Sequence, residues 1–202
     1  MKLRIFSTEV EVSYALICIA AICIILKIFD SMLWCALAIT IHELGHLCAM
    51  IHFGCAPQKI KISAFEIKIV DSKRQLRSEK QNILIIFLGP AANFICFIPF
   101  YLLYLTGKGC FLPFATANLS VGLFNSLPVL SLDGGQLIYI LLCKRFSSAK
   151  SEKLVNLLTF ITIFPLAALG IAVLFKSKYN FSLLFVCAYL IISLISRNNR
   201  FI

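Results

Sequence analysis

Long apolar runs alternate with short charged segments along the whole chain. The runs fall at residues 12–29, 31–50, 83–105, 111–142, 154–175 and 181–196. A helix needs about 20 apolar residues to cross the hydrocarbon core of a bilayer, and most of these runs meet that length. The pattern predicts an all-α polytopic membrane protein with about six transmembrane helices. Residues 1–202 then form one integral membrane domain with a catalytic core at about 31–142, and the short loops leave no room for a PDZ-like or regulatory domain.

Two further patterns modify that picture. The fourth run, 111–142, is too long for one ordinary span. Its middle carries Asn125-Ser126-Leu127-Pro128 and then Asp133-Gly134-Gly135, which are polar and helix-breaking. This predicts a broken span, and irregular backbone at membrane depth survives only where protein buries it or a wet cavity borders it. Apolar and polar residues also alternate over Ile60–Ala64 and Phe65–Ile69, with a phase change between them, and again over Ile5–Val12. The alternation fits a small β-sheet at the membrane surface or a solvated loop.

Composition agrees with the spans. At 60% hydrophobic and 14% charged residues, with a mean hydropathy of +0.94, the chain is too apolar for a soluble domain. The net charge of +10 would suggest nucleic acid in a soluble protein, but here the charges sit in loops beside a membrane, and no nucleic-acid partner is expected. With the N-terminus inside, the inner loops hold 15 of the 19 Lys and Arg residues and the outer loops hold Lys27, Lys108, Lys176 and Lys178. The positive-inside rule thus assigns both termini to the cytoplasm, in a membrane of the bacterial cytoplasmic type. The first run lacks a small-x-small cleavage site and reads as a retained span. Nine cysteines without any CxxC pair, mostly inside apolar runs, argue against a disulfide scaffold or a zinc ribbon.

The chemistry is concentrated in the second run, which contains His42-Glu43-Leu44-Gly45-His46. On a helix, His42 and His46 lie about 40° apart in azimuth and about 6 Å apart along the axis, so both imidazoles can reach one ion. Neutral imidazole is a good zinc ligand, and the adjacent Glu43 can act as general base on a water that the metal activates. Two of the chain's three histidines belong to this motif. A helix carrying polar residues satisfied by neighbours is the plainer alternative, but ionisable groups near the bilayer centre cost about 2.5–3.5 kcal/mol each on insertion scales and need a partner. His52, six residues on, points elsewhere and reads as solvated.

A catalytic zinc usually takes three protein ligands and leaves a position for water. Of the three aspartates, Asp30, Asp71 and Asp133, only Asp133 is embedded in an apolar stretch, which makes it the natural third ligand. The same residue could cap a helix over 135–142, a role compatible with ligation. Gly89, Pro90 and Asn93 in the third run read first as kinking and packing residues.

At these residues the chain resembles the site-2 protease family of intramembrane zinc metalloproteases. The resemblance rests on His42-Glu43-Leu44-Gly45-His46, on Gly89-Pro90-Ala91-Ala92-Asn93, and on Asn125-Ser126-Leu127-Pro128 leading to Leu132-Asp133-Gly134-Gly135. It implies one zinc ion (Zn2+) per chain on His42, His46 and Asp133, and Glu43 as the base that activates water. Asn125 would hold substrate or stabilise the oxyanion, with Pro128 beside it on the substrate side. The compact form resembles the sporulation branch that processes pro-sigma factors, although a second proline common between Pro128 and the aspartate is missing from Val129-Leu130-Ser131.

The expected reaction is hydrolysis of a peptide bond in or near the transmembrane segment of a membrane-tethered protein substrate, such as a pro-sigma or anti-sigma factor. Such a substrate must unwind first, because a helix keeps its carbonyls in its own hydrogen bonds, and the alternating Ile60–Val70 stretch could receive it by strand addition. Its expected surroundings are the lipid bilayer and either a regulatory membrane protein or further copies of the chain. The alternative is a non-hydrolytic metal-binding membrane protein or transporter, which needs the ligands but has no use for Glu43 as a base.

Overall fold

In the computed structural model, the described residues are 2–5, 8–12, 21, 24–25, 29–55, 57, 59–62, 67–70, 77–177, 186–188 and 190–192. They fall into two compact units, Met1–Leu123 and Phe124–Ile202. Most of the first and sixth runs expected to span the membrane lies outside the described residues.

The first unit contains a four-stranded sheet of β1 (Lys2–Ile5), β2 (Thr8–Val12), β3 (Lys59–Ile62) and β4 (Ile67–Val70), in that spatial order. β1 and β2 form an antiparallel pair with Lys2 opposite Glu11, and β3 and β4 another with Lys59 opposite Val70. β2 and β3 pair in parallel, Glu9 opposite Lys59, which joins the two hairpins into one sheet. The described residues of both alternating stretches therefore lie in strands, and Lys2-Leu3-Arg4 extends the sheet beyond them. The phase change at Ala64 and Phe65 lies outside the described residues.

Among the described residues, the long helices α1 (Phe29–His52) and α2 (Glu79–Leu105) belong to this unit, and the boundary between the units falls near the end of α3 (Leu112–Asn125). α1 ends in a tight cap. Gly54 adopts φ 66°, its N–H donates to the Ile51 carbonyl and Cys55 N–H reaches back to that of Met50. A left-handed residue there favours glycine, and the two bonds satisfy carbonyls that a helix end leaves open. α2 starts at a capping box in which Ser78 Oγ accepts from Gln81 N–H and Gln81 Oε1 accepts from Ser78 N–H.

α1 and α2 run antiparallel, packed at both ends. Ala49, Met50 and Ile85 form one buried cluster with Phe53 and Leu88 against it. At the other end the Trp34 ring meets Phe114 at 5.6 Å and the Phe100 ring meets Phe114 edge-on at 4.6 Å, tying α3 to both. Between these clusters the helices approach closely, for a Cβ at Gly45 would overlap the Leu88 carbonyl. Small residues at a crossing are how membrane helices gain contact without a hydrophobic driving force.

The second unit holds α4 (Asp133–Cys143) and α5 (Ser148–Ser177). The expected fourth span is indeed broken: α3 stops at Asn125 and α4 begins at Asp133. The turn between them satisfies its own backbone, with Leu127 N–H donating to Phe124, Val129 to Leu127 and Leu132 to Val129. Val129 and Leu132 are buried with Ile163 and Leu190. The buried Thr159 of α5 accepts from Leu130 N–H at 3.1 Å and donates to the Val155 carbonyl at 2.9 Å.

Among the described residues, three helices are long and apolar enough to cross a membrane, Phe29–His52, Glu79–Leu105 and Ser148–Lys176, and Asp133–Cys143 is a shorter apolar helix. Many of their large side chains, among them Phe87, Ile95, Phe160 and Phe164, are more than half exposed, as lipid-facing residues would be.

Candidate metal centre

His42 and His46 lie one turn apart on α1, with Glu43 half-buried beside the first. His42 is buried, at 4% exposure. Its Nδ1 lies 2.9 Å from Asn93 Oδ1 on α2. The polarity of the Asn93 amide is fixed by a backbone group: its Nδ2 is 2.9 Å from the Ala38 carbonyl, which can only accept. Oδ1 therefore faces His42 and accepts, so Nδ1 of His42 is the N–H. His46 Nδ1 is 2.8 Å from the Ile85 carbonyl and must likewise donate.

Each Nδ1 thus carries an N–H, and the two Nε2 atoms face each other 3.2 Å apart. Two ring nitrogens at that distance can share a proton or ligate one cation together. Nitrogen ligands at about 2.0–2.1 Å from a tetrahedral zinc would be separated by about 3.3 Å, so the pair fits such an ion closely. A second partner on each Nδ1 is also how ligating histidines are usually oriented. The donor set and its geometry therefore suit the metal that the motif implies.

α2 shapes the pocket around His46. A Cβ at Gly89 would overlap Cε1 and Nε2 of its ring, so only glycine leaves room for the imidazole. Next to it, Pro90 carries no N–H, which removes the helical rung to the Ile86 carbonyl. The Gly89-Pro90 pair, expected to kink and pack, also makes room for the His46 ring.

The remaining expected site residues belong to the second unit. Asn125 ends α3, Pro128 lies in the turn and Asp133 opens α4. Asp133 is not the cap of that helix, since Leu132 occupies the cap with extended backbone and Asp133 stands in the first turn, where a carboxylate is favoured by the helix dipole. Behind it the chain is tightly folded: a Cβ at Gly134 would overlap the Ser126 and Leu127 carbonyls, and one at Gly135 that of Val129. His52 is exposed and stacks edge-on against Phe53 at 5.2 Å, apart from the ligand pair.

Fold and site together define a helical, membrane-type protein carrying a paired-histidine centre on one of its long apolar helices. The chain is 28% identical over 179 residues to the stage IV sporulation protein FB of Bacillus subtilis (strain 168), a match covering 87% of this chain. It spans 61% of that relative's length. Its fold is similar to that of the site-2 protease from Methanocaldococcus jannaschii, with a TM-score of 0.69 at 20% identity over 94% of this chain and 91% of that one. No family model matches the chain. The likeness to site-2 proteases read from three motifs thus extends to the fold of nearly the whole chain.

Sequence reasoning found both histidines but missed what orients them. The Ile85 carbonyl is a backbone group with no signature in the sequence. Asn118, which holds Asn93 from α3, is an amide inside a mostly apolar helix, and that is the one signal that could have singled it out.

Proposed function

We propose that the chain is an intramembrane zinc metalloprotease of the site-2 type, with His42, His46 and Asp133 as the metal ligands and Glu43 as the general base. The observation that carries the reading is the imidazole pair, each ring tied through Nδ1 so that the two Nε2 atoms face each other 3.2 Å apart. Asp133 adds a carboxylate, and two histidines with one carboxylate suit a hydrolytic zinc. When bound, zinc polarises the scissile carbonyl and lowers the pKa of the attacking water. Glu43 takes the proton from that water and passes it to the leaving amine. Asn125 donates its amide to the developing oxyanion, and Pro128 borders the bound substrate.

The substrate of this reading is a membrane-tethered precursor, such as a pro-sigma factor, in line with the sporulation relative. The chain spans the bacterial cytoplasmic membrane six times with both termini inside, supported by the 15 inner Lys and Arg residues. Water then reaches the centre from the cytoplasm. The unwound substrate pairs with β4. β3 lies between β2 and β4, so of the Ile60–Val70 stretch only β4 has an open side among the described residues.

The test is Glu43→Gln in the purified chain. A protease keeps its zinc and loses turnover by about 10²–10⁴-fold, the usual contribution of a general base. A metal carrier keeps both its zinc and its transport, and that result would replace the proposal.

A further inference from the structure

The histidine that leads the pair is held by more than one contact. Asn93 Nδ2 donates both to the Ala38 carbonyl at 2.9 Å and to Asn118 Oδ1 at 3.0 Å. The Asn118 amide is itself oriented, because its Nδ2 donates to the Phe114 carbonyl at 3.0 Å. Every hydrogen bond therefore donates in one direction, from the N–H of His42 through Asn93 and Asn118 to the Phe114 carbonyl. Asn93 and Asn118 are both 0% exposed.

The backbone is arranged to permit this chain. Gly122 lies one turn after Asn118 on α3, and a Cβ there would come within 3.2 Å of Asn93 Cβ and of the Phe94 ring. Its missing side chain lets α3 lie against α2 where the two amides meet. Two apolar residues of similar volume would pack there as well, since a buried amide pair adds little net stability once both partners are replaced. Packing alone gives no reason for the amides, whereas their polarity gives His42 one defined tautomer.

We propose that Asn93, braced by Asn118, is a positioning residue that fixes His42 as the Nδ1–H tautomer and so directs its Nε2 at the metal. The proposal rests on the metal reading above. It assigns to Asn118, on a third helix and outside the ligand set, a share in metal affinity that reaches the ion only through Asn93.

Zinc affinity of the purified full chain in nanodiscs, measured by competition with a chromogenic chelator, tests it. Asn93→Ala should weaken zinc binding by about 10–100-fold, the usual effect of losing the outer partner of a ligating histidine. Asn118→Leu should weaken it too, and this effect should disappear in the Asn93→Ala background, because the route through Asn93 is already cut. Cobalt-substituted protein should show altered visible bands in both single variants, a signature that a purely structural role would not move. Unchanged affinity in folded Asn93→Ala, or an Asn118→Leu effect that persists in that background, overturns the proposal.

Nitrogen NMR of histidine-labelled wild type without metal gives an answer even if a variant does not fold. A pyrrole-type nitrogen at His42 Nδ1 is expected, and one at Nε2 overturns the proposal. Failure of the parent reading looks different: the wild type would then bind no zinc, or His42→Ala would bind it as the wild type does.

Discussion

Replacing Gly89 with alanine tests how closely α2 seats the second histidine. The added methyl overlaps Cε1 and Nε2 of His46 and reaches Cδ2 at 3.0 Å. The obstacle is a side chain rather than backbone, so the ring can swing away while α1 and α2 keep their crossing. It can do so only by leaving the Ile85 carbonyl, now 2.8 Å from its Nδ1. Losing one such bond costs about 1 kcal/mol, and overpacking a close-fitted site costs typically about 1–3 kcal/mol. Thermal unfolding of the metal-free chain should therefore report a loss within about 1–3 kcal/mol. Zinc affinity should fall further, by about 100-fold or about 2.7 kcal/mol, because the displaced ring no longer directs Nε2 at the ion. Gly109→Ala is the control: nothing lies within 4 Å of a Cβ there, so its stability should stay within about 0.5 kcal/mol of wild type. A folded Gly89→Ala chain that binds zinc as tightly as wild type would refute the seating of His46 by α2.

Two further expectations concern the turn and the sheet. Thr159→Val leaves the buried Leu130 N–H without its acceptor and should destabilise the chain by about 1–3 kcal/mol in denaturant titrations, whereas Thr159→Ser should restore stability; equal stability of Val and wild type would remove Thr159 as the brace of the turn. Proline substitutions along Ile67–Val70 should reduce substrate cleavage while leaving zinc content unchanged, because proline removes an edge donor; cleavage at the wild-type rate would end the strand-addition idea.

What the sequence disclosed followed the range of the interactions involved. The His42–His46 pair is legible because helical spacing alone brings i and i+4 together. The break before Asp133 is legible because Pro128 and the surrounding polar residues cannot continue a span. The sheet was only half legible. Alternation marks strands locally, but the parallel pairing of β2 with β3 joins residues on either side of α1, and nothing local encodes it. The same limit hid the link from Asn118 to Asn93, 25 residues apart, and the role of the Ile85 carbonyl, 39 residues from His46. The brace of the turn between α3 and α4 lies equally beyond local reach. Leu130 keeps an N–H, and Thr159, 29 residues away, accepts it.

The central claim is hydrolysis within the membrane that depends on Glu43. Its most direct test is a quantitative comparison of membrane-protein termini in cells expressing the wild type or Glu43→Gln. New termini that require Glu43 and map to the cytoplasmic half of substrate spans are the predicted result, and they would name the substrate as well. Identical termini in the two strains, with the wild-type chain holding its zinc and its activating conditions met, would contradict proteolysis and favour a metal-carrying role.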